Sequence, residues 1–82
     1  MSNRRVALSE VGTETTAVLA SIEGGHGFRS RLAALGFTPG TPVRVVQNRG
    51  SGPMIVSVRD TRIALGRGEA RKIWVSAGIE EP

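Results

Sequence analysis

The run Arg31-Leu32-Ala33-Ala34-Leu35-Gly36-Phe37-Thr38-Pro39-Gly40-Thr41-Pro42-Val43 constrains this chain more than any other part of it. A short helix must stop at Gly36, because glycine reaches the left-handed conformation that closes a helix without steric cost. Phe37 supplies an apolar contact just past that cap. Thr38-Pro39-Gly40 turns the chain: proline pre-sets φ and glycine tolerates positive φ. Pro42 has no amide hydrogen, so a strand can begin there or run along an edge. Helix, turn and strand follow in quick succession, and the joint holds no catalytic group, which favours a small binding module over an enzyme.

Hydrophobic spacing extends this reading in both directions. Residues 8–12 predict a single turn stopped by Gly12, with Ser9 as a candidate cap. Residues 15–23 are rich in β-branched side chains and predict a strand, with Thr16, Val18, Ala20 and Ile22 sharing one face. Gly24-Gly25-His26-Gly27 breaks it. Phe28, Leu32 and Leu35 then fall at helical spacing over residues 28–35, and Leu32 and Leu35 are expected to face inward. A second strand is predicted over residues 41–47, with Val43 and Val45 on one face. Residues 48–53 form a glycine-rich hairpin loop. A third strand covers residues 54–59. Asp60-Thr61 turns the chain into a fourth over residues 62–65. Residues 66–71 allow at most one helical turn, since two glycines weaken it. A fifth strand covers residues 72–77, and residues 78–82 are a polar tail expected to fray.

Five short strands with close connections indicate an all-β barrel or sandwich, with one short helix after the first strand and a helical turn before the last. Eighty-two residues make one domain, 1–82, with its core over about 8–77. Cysteine is absent, so neither disulfides nor thiolate metal ligands reinforce it. No apolar run has the length of a membrane span, and the two arginines at the N-terminus precede no long apolar region. A soluble, cytoplasmic chain is the expectation.

The formal charge is +4, and ten of the eleven basic residues are arginine. They are scattered, and only Phe28, Phe37 and Trp74 are aromatic, whereas single-strand binders interleave basic groups with several stacking rings. Catalysis has little to draw on. His26 is the single histidine and Asp60 the single aspartate, so neither a nucleophile–base pair nor a converging metal set is apparent. Glu23 and His26 could touch a metal together, but transition metals want three or four ligands. The glycines before the helix resemble a phosphate cradle only in outline, since the Lys-Ser/Thr ending of a P-loop is missing. No catalytic residue, metal ligand, cofactor or small-molecule substrate is assigned, and the chain is not expected to be an enzyme. Trp74 is different. With Ile73 and Val75 facing the core, Trp74 points the other way with Lys72 and Ser76. It is either an exposed interface residue or a satellite core beside Leu8 and Val11.

These residues resemble a known family. Gly24-Gly25, Arg31-Leu32, Leu35-Gly36-Phe37-Thr38-Pro39-Gly40, Asn48, Gly52-Pro53, Ile63-Ala64-Leu65, Ala70, Ile73 and Val75 are similar to the pattern of the ferrous iron transport A-type proteins, FeoA, over residues 8–76. Gly66-Arg67-Gly68 departs from it, where better helix formers are expected. The resemblance implies an SH3-like barrel. It also implies a small cytoplasmic accessory of bacterial ferrous iron uptake, recruited to the inner face of the membrane. There it would bind and regulate the cytoplasmic part of a ferrous iron transporter carrying a G-protein domain (FeoB-type). The module is also similar to the C-terminal domain of some metal-dependent repressors.

The partner-binding surface is expected at Arg29, Asn48, Arg49, Met54 and Trp74, and a homo-oligomer through an exposed edge strand is an option. Two alternatives stand beside this reading. One is nucleic-acid binding by a basic barrel, for which Arg44, Arg59 and Arg62 would cluster on one face. The other is an iron-binding chaperone using Glu23 and His26.

Overall fold

The computed structural model describes residues 4–77. Six strands form one antiparallel sheet: β1 (Arg4–Ala7), β2 (Thr16–Ile22), β3 (Pro42–Gln47), β4 (Met54–Val58), β5 (Thr61–Leu65) and β6 (Ile73–Ala77). Their order is β1-β6-β2-β3-β4-β5. A helix, α1 (His26–Ala34), follows β2, and a one-turn helix, α2 (Arg67–Ala70), links β5 to β6. A 3-10 turn, Leu8–Glu10, continues β1 and packs beside α2. Since β1 and β5 are the two ends of the strand order, this contact curls the sheet into an SH3-like barrel. The polar tail at residues 78–82 lies outside the described residues.

The core is built from the alternate residues of every strand. Val43, Val45, Val56, Val58, Met54, Ile73 and Val75 have no accessible surface, and Leu8, Val11, Ala17, Leu19, Leu32, Phe37, Leu65 and Ala70 join them. Each such side chain gains roughly 1.5–3 kcal/mol from leaving water if large, which a fold without disulfides needs.

The joint over residues 31–43 follows its chemistry closely. The amides of Gly36 and Phe37 donate to Ala33 O and Leu32 O, each at 3.0 Å. That is a Schellman closure, with Gly36 at φ +103°. Leu32 and Phe37 bury against the same core. The turn beyond is welded to β2: Gly40 N–H donates to Leu19 O at 2.8 Å and Leu19 N–H to Thr41 O at 2.9 Å.

Several expectations are corrected. There are six strands rather than five, because residues 4–7 pair with the far end of the chain: Val6 lies opposite Val75 and Ala7 opposite Trp74. On β2 the buried positions are Ala17 and Leu19, while Val18 is 42% exposed. A bulge at Ala20 shifts the register with β6, so Ile22 returns to the core side and does not share a face with Thr16 and Val18. Leu35 is 42% exposed and does not face inward. It is the last residue before the glycine closure, where the backbone has begun to leave the helix. Ser9 does not cap the first turn, whose N-cap is Ala7. The β4–β5 hairpin turns through Arg59 and Asp60, one residue earlier than expected, both at positive φ as a two-residue turn requires.

Candidate functional site

The expected partner-binding residues are distributed over three places. Arg29 is exposed on α1. Arg49 is exposed in the loop after β3. Met54 is a correction: it opens β4 as an inward residue opposite Leu65, has no accessible surface and offers nothing to a partner.

Asn48 is occupied in holding the barrel together. Its Nδ2 donates to Ser9 O at 3.0 Å and Val11 O at 2.8 Å, and its Oδ1 accepts from Gly50 N–H at 3.0 Å. Arg67 completes the cluster, donating to the same Oδ1 at 2.6 Å, to Ser9 O at 3.1 Å and to Gly52 O at 3.2 Å. Every polar atom of the Asn48 carboxamide is thereby used inside the fold. The sequence gives little sign of this role for Arg67, which sits between two glycines in what reads as a weak turn.

Trp74 lies on the outer face of β6, between Ala7 of β1 and Ser21 of β2. It is half-buried, and its Nε1 is covered with no hydrogen-bond partner among the described residues. Leu8 and Val11 belong to the main core with Ile73 and Val75, on the other side of the strand, so the satellite core does not form.

A second cluster ties α1 to the rest of the molecule. The Phe28 ring carries Lys72 Nζ at 5.4 Å and the Arg31 guanidinium at 5.7 Å from its centre, within the range of cation–π attraction. Arg31 also pairs with Glu69 at 2.6 Å. The other Glu69 oxygen accepts the Gly66 N–H at 2.9 Å and so caps α2. That amide, followed by Arg31, holds the Glu69 carboxyl below its ordinary value.

A groove of about 400 Å³ runs between β2 and α1. Residues 19–22 form one wall. His26, Arg29, Ser30 and Ala33, a second helical stripe of α1, form the other, and Phe37, Thr38 and Pro39 close one end. The stripe is legible in the sequence as i, i+3, i+4 and i+7, but its residues are polar or small and the apolar spacing of the other face dominates. Glu23 and His26 stand at the two ends of the loop between β2 and α1, and both are exposed. His26 Nε2 lies 3.3 Å from Ser30 Oγ. Among the described residues no group of three or more His, Cys, Asp or Glu side chains could hold a metal ion.

Of the three arginines expected to cluster, two do. Arg44 and Arg62 both lie opposite Ser57 in one cross-strand row of the outer face. Arg59 lies apart in the hairpin turn, where its side chain runs over Gly36.

A small SH3-like barrel with an open groove on its surface is the frame of a binding domain. Comparison with known proteins narrows the class. The sequence pattern of the FeoA domain matches residues 6–77, and this chain belongs to that family. It is 36% identical over 70 residues to a protein of Methanocaldococcus jannaschii assigned provisionally as Fe(2+) transport protein A, covering 85% of this chain and 82% of that one. A crystal structure of an iron uptake regulatory protein, FeoA, superimposes with a TM-score of 0.82 at 37% identity, covering 89% of this chain and 97% of the other. Stenotrophomonas maltophilia FeoA, crystallised with zinc, matches with a TM-score of 0.76 at 34% identity, over 93% and 91% of the two chains. It is described as a procaryotic SH3 domain protein and suggested as a ferrous iron transport activating factor. A manganese-dependent transcriptional repressor shares the fold at 22% identity and a TM-score of 0.82, over 94% of this chain and 44% of its own.

Proposed function

We propose that this chain is a non-enzymatic accessory of ferrous iron uptake that works in the cytoplasm by binding the cytoplasmic part of a FeoB-type transporter and setting its activity. Membership of the FeoA family carries the reading. The groove beside Arg29 supports it, because a binding domain needs an accessible concave surface. No described helix is long and apolar enough to cross a membrane. The basic surface favours an acidic patch on that partner, with association that weakens as salt screens it.

The test is a pull-down of the transporter's cytoplasmic G-protein domain by this chain, with the domain loaded with guanosine diphosphate or with a triphosphate analogue. Binding in one state, reduced by added salt, is the expected result. No binding in either state overturns the proposal.

A second reading, nucleic-acid binding, draws on the Arg44–Ser57–Arg62 row. Two arginines straddling a small side chain can both reach phosphate. It would require micromolar or tighter affinity for a duplex or single strand, falling steeply with salt.

A further inference from the structure

The two edges of β2 are unequally used. Along one, Leu19, Ser21 and Ile22 face Val75, Trp74 and Ile73 of β6. Along the other, the pairing with β3 covers only Thr16, Ala17 and Val18, and Leu19 is met by the backbone of Gly40 and Thr41. The chain turns away at Pro39, and past Leu19 no described strand continues on that side. Glu23 N–H donates to Lys72 O, beside the end of β6, at 2.8 Å. Successive residues of an antiparallel strand direct their backbone groups to opposite edges. The N–H and C=O of Ile22 therefore point away from β6, into the groove. The bulge at Ala20 sets this phase, and it also returns the Ile22 side chain to the core.

The opposite wall of that groove is a helix. A free strand edge facing a helix across a cleft is the arrangement in which an extended peptide adds as a further strand. Its backbone bonds the edge and its alternate side chains meet the helix. About 400 Å³ is available, and residues 20–22 span roughly 10 Å at about 3.3 Å per residue, with the N–H and C=O of Ile22 as the pair that a three- or four-residue peptide strand would bond. The charge of the walls selects among peptides. Arg29 is exposed and has no ion pair among the described residues. The first turn of α1 holds no acidic residue, and the whole chain carries +4. Leu32 is the one fully buried side chain of α1, whereas Arg29 and Ala33 are exposed.

We infer that the groove between β2 and α1 takes an extended, acidic peptide segment of a partner protein, added as a strand along residues 20–22 with a carboxylate at Arg29. This rests on the reading of the chain as a partner-binding domain, though not on which partner it binds.

The test selects random octapeptides displayed on phage against the intact chain, then titrates the enriched peptides, made synthetically, while following backbone amides by NMR. Enriched peptides are expected to carry Asp or Glu between alternating apolar residues. They should shift the Ile22 amide and slow its exchange with solvent by about tenfold or more, as a new hydrogen bond would. Arg29→Glu and Ala33→Arg, both at exposed positions, should leave the free chain's spectrum otherwise intact and weaken binding by about tenfold or more. No enrichment, enrichment of basic or proline-rich peptides, or shifts that avoid residues 20–22 would each overturn the inference. The two proposals fail separately. If Ala33→Arg abolishes peptide binding but the transporter domain is still retained, the groove is not its site. If peptides bind the groove and the transporter domain is never retained, the iron-uptake reading falls and the strand-addition site stands.

Discussion

Asn48 and Arg67 are joined by a 2.6 Å hydrogen bond, and both also donate to the carbonyl of Ser9. The three residues come from the loop after β3, the start of α2 and the turn after β1, so this cluster closes the barrel where no strand pairing does. Asn48→Ala would leave the carbonyls of Ser9 and Val11 short of a donor and Arg67 short of an acceptor. A loss of about 1–3 kcal/mol is expected in urea unfolding. Arg67→Ala should cost a similar amount. The double variant should cost clearly less than the sum, because the two side chains share one network.

The two leucines of the helix end should behave oppositely. Leu32 is 1% exposed and packs with Phe37, so Leu32→Ala should cost about 2–5 kcal/mol through lost burial and a residual cavity. Leu35, though on the same sequence stripe, is 42% exposed. Leu35→Ala should change stability by less than about 0.5 kcal/mol, as surface substitutions do. Thermal unfolding of the pair compares them directly.

What could be read from the chain was local. The helix closure at Gly36, the turn at Pro39-Gly40 and the start of β3 at Pro42 depend on neighbours in sequence, and all three form as their chemistry requires. What escaped depends on distant residues. β1 exists because residues 4–7 meet Trp74 and Val75 at the other end of the chain, and two arginines before a valine give no strand signal by themselves. The bulge at Ala20 is set by the pairing of β2 with β6, and without it period-two counting puts Ile22 on the wrong face. Of the expected site residues, Arg29 lines the groove, while Asn48 and Met54 proved to be structural. A polar or sulfur side chain beside a loop looks the same in sequence whether it faces water or seals a barrel.

Gly36 should be intolerant of any side chain. Its φ of +103° is strained for L-residues, and a Cβ would sit 3.0 Å from Arg59 Cδ and 3.3 Å from Val58 Cγ1. Gly40 has φ +91° but open space around it. Both Gly36→Ala and Gly40→Ala should lose about 1–2 kcal/mol for the backbone alone, and Gly36→Ala should lose more. Adding Arg59→Ala should recover part of that excess and none of the backbone cost, which chemical denaturation of the three variants would resolve.

Trp74 carries a covered indole N–H with no acceptor among the described residues. A buried donor left unsatisfied costs about 1–3 kcal/mol. Trp74→Phe removes the donor and keeps most of the ring, so it should be neutral or stabilising by up to about 1 kcal/mol. Trp74→Ala, which uncovers the outer face over Ala7 and Ser21, should destabilise. If Trp74→Phe proves as damaging as Trp74→Ala, the indole N–H has a partner in solution.

Glu69 makes stability depend on acid. Its carboxylate accepts from Gly66 N–H and from Arg31, and both contacts favour the charged form, so the folded pKa lies below the ordinary 4.5. The unfolded chain, with no such contacts, protonates first as pH falls. Stabilisation by the charged form is complete above the ordinary carboxylate value and drains away as pH drops through the lower folded value. Protonation weakens the cap on α2 and the tie between α2 and α1 together. Urea midpoints taken from pH 7 to pH 2.5 should fall for the natural chain across this window. Glu69→Gln should start less stable at pH 7 and decline less steeply. Arg31→Ala should also flatten the profile but only partly, because the Gly66 amide, the larger of the two causes, remains. A Glu69→Gln profile parallel to that of the natural chain would mean that other carboxylates set the acid limit.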